Sequence, residues 1–228
     1  MPAQGGHLTS RALVSSREGA RSVHATISSV TASSKRVLRW RVVDIVVASV
    51  VAVASGVVFW VWGQAYNPIS GPVTAVLPGF QGILNGPWLF AGVLTALVVR
   101  KPGAALYGEV VAAVVSMLIG TQWGFATLLS GVVQGLGAEI VFALFLYARW
   151  NLGTALLAGA GTGLAESILD LLYSYPGAKP EFAIVYTITT MVSGVIVAGL
   201  GSWLLVKALA RTGALSRFAA GREATGRV

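Results

Sequence analysis

Residues 42–64 read VVDIVVASVVAVASGVVFWVWGQ and contain a single charged side chain, Asp44. A helix over this run is about 34 Å long, enough to cross a ~30 Å hydrocarbon core. Lys35, Arg36, Arg39 and Arg41 precede it, and Trp60 and Trp62 close it. Basic residues before a span and aromatic residues at its far interface are the flanks that fix a helix across a bilayer. Composition extends the reading to the whole chain: 55% of the 228 residues are hydrophobic and 11% charged, against roughly 25% charged in an ordinary soluble domain.

Working outward from that first helix, further apolar runs predict helices near 81–99, 103–119, 124–148, 152–174 and 182–208. Residues 65–80, AYNPISGPVTAVLPGF, carry Pro68, Pro72 and Pro78 with Gly71 and Gly79, so they read as an irregular loop. The expected fold is an all-α integral membrane protein, a six-transmembrane-helix bundle over 35–210 with both termini cytoplasmic. Arg100, Lys101, Arg149, Lys207 and Arg211 would then share the cytoplasmic side with the N-terminal cluster, leaving Lys179 outside, as the positive-inside rule requires. Residues 1–34, rich in Ser, Arg and Gly, read as a disordered basic cytoplasmic tail, and 211–228 as a second basic tail. The net charge of +8 is accounted for by anionic lipid headgroups without nucleic acid.

The chemistry is bounded as firmly. There is no cysteine, and both histidines, His7 and His24, lie in the N-terminal tail, so no metal site or cofactor is expected in the membrane part. No GxxxxGK[ST], GxSxG or HExxH pattern occurs, and no nucleophile–base pair of an enzyme is visible.

Acids within spans are costly and mark functional candidates. Asp44, beside Arg41, reads as structural. Glu109 lies ~12 Å above Lys101 and Glu139 ~15 Å above Arg149, near the bilayer midplane, whereas Gln134, Glu166 and Asp170 fall in the external half. Glu166 and Asp170 are four apart and share a helix face. Trp123, Tyr173, Tyr186 and Thr190 stand at similar depth, with Asn85 and Trp88 as further wall candidates. Rings and carboxylates together suit a flat, nitrogen-rich solute, neutral or cationic. Glu109 and Glu139 could instead be held in helix contacts. On the first helix Ala48, Ala52 and Gly56 form a small-residue stripe, for internal packing or for docking a membrane partner.

The stretches RKPGAALYGEVVAAVVSMLIG (100–120) and GVVQGLGAEIVFAL (131–144) resemble the signature of the YkoE-like family, the substrate-binding S components of energy-coupling factor (ECF) transporters associated with thiamine and its hydroxymethylpyrimidine precursor. The resemblance implies a six-helix subunit of the bacterial plasma membrane that captures its vitamin from outside. The loop after helix one would close the pocket, and a membrane T component and two cytosolic ATPase subunits would be its partners. Gln134 and Glu139 fall in the QGLGAE string and Glu109 follows KPGAA. Glu109 would then either form the base of the pocket or brace helix three against Gln134 and Glu139, and its low depth favours the brace. The alternative from another class is a self-sufficient proton-coupled carrier with Glu109, Glu139 and Glu166 as relay.

Overall fold

In the computed structural model residues 38–215, with Phe218, Ala220 and Gly221, are described. The expectations for tail 1–34, Lys35, Arg36 and the distal arginines Arg217 and Arg222 lie outside the described residues. From Arg39 onward the described residues belong to one unit, and it is helical. Its elements are α1 (Val42–Val76), a 3-10 helix (Phe80–Trp88), α2 (Phe90–Val99), α3 (Ala104–Ile119), α4 (Ala126–Leu144), α5 (Leu152–Tyr173), α6 (Pro180–Ser193), π-helical turns (Gly194–Gly201) and α7 (Ser202–Arg211). Five segments are long and apolar enough to span a membrane: α1, the 3-10 helix joined to α2, α4, α5, and the rod from Pro180 to Arg211. The sixth, α3, is apolar but has 16 residues.

Phe80–Val99 is the central segment. Its most apolar stretch is 72% buried, against 28–39% in the other four long segments, so the others wrap it. The outer helices invert the soluble pattern, with small residues inward and large ones outward. On α1, Ala48 and Ala52 are fully buried while Val50, Val53, Val57 and Val61 are exposed. Burial against lipid is as favourable for valine as burial in protein, so helix association depends on close packing at small residues.

The structure differs from the sequence expectation after the first helix and bears on the two readings of the small-residue stripe. Residues 65–80 do not form a loop: α1 continues through Pro68 and Pro72 to Val76, and the break is confined to Leu77–Gly79. Each proline removes one helical N–H and so leaves the Gln64 or Pro68 carbonyl without its usual donor, while neighbouring turns carry hydroxyl bonds of their own, Ser70 donating to the Asn67 carbonyl and Thr74 to the Ser70 carbonyl. Membrane helices tolerate proline where the surrounding structure holds the helix. The Ala48, Ala52, Gly56 stripe is covered by the chain's own α3: a Cβ on Gly56 would stand 2.6 Å from the Ala112 carbonyl oxygen. Of the two readings of the stripe, this contact is internal packing. A small-residue face brings a helix close to whatever lies beside it, and here that neighbour is internal.

One end of the bundle gathers the basic residues. Arg41 leads into α1, Arg100 and Lys101 follow α2, Arg149 follows α4 and Arg211 ends α7. Trp40 ties two of these turns together, its indole N–H donating to the Pro102 carbonyl at 2.9 Å. Asp44 caps α1 by accepting from the Arg41 N–H at 2.9 Å, in agreement with its structural reading.

Candidate functional site

At the opposite end, a cavity of about 230 Å³ opens between α1, the 3-10 helix, α3, α4, α5 and α6. Its polar wall follows from helix periodicity. Thr127, Ser130 and Gln134 line it from α4, and Glu166, Asp170 and Tyr173 from α5, at spacings of three and four that put each set on one helix face. Asn85 and Trp88 come from the 3-10 helix, Trp123 from the turn before α4, and Tyr186 from α6.

The two carboxylates differ in what they already hold. Asp170 accepts from the Tyr186 hydroxyl at 2.5 Å and from the Ser174 hydroxyl at 3.3 Å. Tyr186 in turn accepts from the Asn85 amide at 2.9 Å. These contacts form a directed chain, Asn85 to Tyr186 to Asp170, that fixes all three groups. Glu166 faces Gln134 and Ser130, yet its Oε2 is buried without a hydrogen-bond partner, as is the Thr127 hydroxyl on the same cavity. A buried carboxylate oxygen left unpaired costs roughly 1–3 kcal/mol or more. A ligand donor in the cavity would satisfy it.

Rings make up the rest of the mouth. Trp88 meets Trp123 edge-on at 5.0 Å between centroids, and Tyr66 contacts both, at 5.2 and 5.8 Å. The Trp88 indole N–H is held by the Phe59 carbonyl at 3.0 Å, so its ring is oriented before any ligand arrives. Gln122 ties the Trp123 turn to α1, accepting from Asn67 at 2.5 Å and donating to the Gly63 carbonyl at 3.3 Å.

Of the residues singled out by sequence, Gln134, Glu166, Asp170, Trp123, Tyr173, Asn85, Trp88 and Tyr186 all line this cavity. Thr190 stands one layer behind, its hydroxyl 3.4 Å from the Asn85 amide nitrogen. Glu139 and Glu109 do not line it. Glu139 lies near the basic end, where its carboxylate accepts from the N–H groups of Gly103 (2.6 Å), Ala105 (2.9 Å) and Leu106 (3.3 Å) and from the Tyr147 hydroxyl (2.8 Å). It caps the start of α3 from α4. Burial together with that carboxylate pushes the Tyr147 phenol up to about 12, so it remains a donor. Glu109 is 1% exposed and accepts from the Gly92 N–H of α2 at 2.5 Å. It braces α3 as its depth indicated, but against α2 and not against Gln134 or Glu139.

Sequence reading missed Tyr66, because residues 65–80 were expected to be a loop. It also missed Thr127 and Ser130, although Thr127, Ser130 and Gln134 form a polar stripe at helical spacing that signals a lined face.

Comparison with known proteins agrees with this architecture. Residues 43–165 match the family model described as "ABC-type cobalt transport system, permease component". The curated relative "Putative HMP/thiamine permease protein YkoE" of Bacillus subtilis (strain 168) is 35% identical over 185 residues, 81% of this chain and 92% of that protein. A solved structure titled "Crystal structure of an S-component of ECF transporter" superposes with a TM-score of 0.76 at 32% identity, covering 83% of this chain and 95% of that one. By its sequence, its helical architecture and these relatives, the chain belongs to the YkoE-like family of ECF-transporter S components, multi-pass membrane proteins of transport.

Proposed function

We propose that this S component captures thiamine or its hydroxymethylpyrimidine precursor in the cavity around Glu166 and passes it to a membrane T component driven by two cytosolic ATPases. The observation that carries the ligand class is the unpartnered, buried Glu166 Oε2 facing a cavity rimmed by Trp88, Trp123 and Tyr66. A carboxylate oxygen beside aromatic faces suits an aminopyrimidine, whose exocyclic N–H donates to the carboxylate while its ring lies against indole or phenol. The name of the Bacillus subtilis relative supports the same ligands.

The family model's description mentions cobalt, but the donor set favours an organic solute. Among the described residues no group of three or more His, Cys, Asp or Glu is placed to hold a metal ion, and one of the cavity's two carboxylates is already engaged by Tyr186 and Ser174. The distribution of basic residues supports an orientation with the cavity on the outer side and both termini in the cytoplasm.

Calorimetric titration of purified protein with thiamine and with hydroxymethylpyrimidine, without ATP, tests the reading. Saturable binding is expected, weakened about 10- to 100-fold by Glu166→Gln, the effect of losing a charge-assisted hydrogen bond. Absence of binding, or equal affinity in Glu166→Gln, contradicts it. Uptake by the isolated chain in proteoliposomes under a pH gradient would point instead to a self-sufficient carrier.

A further inference from the structure

Glu109 is a buried acid that the cavity does not use, and its hydrogen bond reaches an unusual place. The central segment changes geometry within the bundle: nine residues of 3-10 helix, Phe80–Trp88, pass through Leu89 into α2. A 3-10 run much beyond about four residues is uncommon because its hydrogen bonds are poorer, so something must hold it. On one flank α6 does so. Ser193 accepts from the Gly86 N–H at 2.9 Å and donates to the Ile83 carbonyl at 2.5 Å, and Thr189 donates to the Gly79 carbonyl at 3.1 Å. On the other flank Glu109 accepts from Gly92, in the first turn of α2, where helical N–H groups lack partners within their own helix.

The close approach is built in. A Cβ on Gly92 would stand 2.7 Å from the Ala105 carbonyl oxygen and 2.9 Å from Glu109 Oε2. Glu109 Oε1, buried as deeply, has no partner, so the carboxylate spends one oxygen on this junction and leaves the other unpaired.

We propose that Glu109 is a positioning residue for the substrate cavity: by capping α2 at Gly92 it fixes where 3-10 geometry gives way to α-helix, and so sets the places of Asn85 and Trp88. The lever is large. Converting one residue from 3-10 to α geometry turns everything upstream by about 20° and shifts it by ~0.5 Å. A junction moved by two or three residues would take Asn85 out of its bond to Tyr186 and swing Trp88 off the mouth. The inference rests on the cavity being the substrate site, as proposed above.

The test compares Glu109→Leu, Glu109→Gln and the wild type by titration with hydroxymethylpyrimidine and thiamine, and by hydrogen–deuterium exchange of the peptide 80–95 in the ligand-free protein. Glu109→Leu is expected to weaken binding at least about tenfold and to speed exchange of that peptide by a similar factor, whereas Glu109→Gln, whose amide oxygen can still accept from Gly92, stays within about threefold of wild type in both. Should Glu109→Leu fail to fold, Glu109→Asp, which draws the carboxylate back by one methylene, takes its place with the same expectation. Wild-type affinity and wild-type exchange in Glu109→Leu overturn the proposal, as does faster exchange with unchanged affinity, or a loss in Glu109→Gln as large as in Glu109→Leu. If the wild type itself binds neither ligand, the proposed function falls, and unchanged exchange in Glu109→Leu would overturn the cap independently.

Discussion

Two pairs of carboxylates occupy this bundle, each with one buried member (Glu109, Glu166) and one partly buried member (Glu139, Asp170), and the pairs differ in what they face. Glu139 and Glu109 each reach from one helix to the start of the preceding one: Glu139 on α4 holds three backbone N–H groups opening α3, and Glu109 on α3 holds Gly92 of α2. Glu166 and Asp170 face a cavity. Within that second set, Asp170 is committed to Tyr186 and Ser174 while Glu166 keeps an oxygen unpaired. An acid inside a membrane helix is therefore a marker of something specific, but a helix N-terminus can satisfy it as fully as a ligand can.

That contrast can be broken by mutation. The largest effect is expected from Glu139→Leu, which removes the acceptor of three backbone N–H groups at the basic end. Thermal or denaturant unfolding in detergent should register a loss of about 3 kcal/mol, with ligand affinity of the folded fraction nearly unchanged. Glu166→Gln should do the reverse, costing about 1.5–3 kcal/mol of binding while leaving the unfolding midpoint near that of the wild type, because Oε2 makes no hydrogen bond in the fold. If both variants lost stability and affinity together, the division between brace and cavity would not hold.

Smaller effects sharpen the comparison inside the cavity. Tyr186→Phe deletes the hydroxyl that accepts from Asn85 and donates to Asp170, and titration should give about a fivefold weaker affinity, near 1 kcal/mol. Ser174→Ala removes only the longer 3.3 Å bond to Asp170 on an exposed side chain, and a change within about twofold is expected.

Much of this was legible in the sequence for identifiable reasons. The apolar runs are set by bilayer thickness, so the six segments could be read directly, though not the end of the first, which runs on to Val76. Depth and i, i+4 spacing brought Glu166 and Asp170 to one face, and with Gln134 they do meet in the cavity. What could not be read was the identity of each neighbour. Spacing assigns a side chain to a face, but not the helix that the face meets, which is why Glu109 was expected on Gln134 or Glu139 and the Ala48 stripe was left open to a partner. Pro68 and Pro72 misled for a related reason: proline weakens a helix locally, whereas the decision to continue is taken by the tertiary setting.

The most direct test of the account is an experimental structure of the protein with hydroxymethylpyrimidine or thiamine bound. The account predicts the aminopyrimidine edge within hydrogen-bonding distance of Glu166 Oε2 and its ring against Trp88 or Trp123, with Glu139 still on Gly103 and Ala105. A ligand seated at Glu139, or one held by Asp170 with Glu166 turned away, would contradict it.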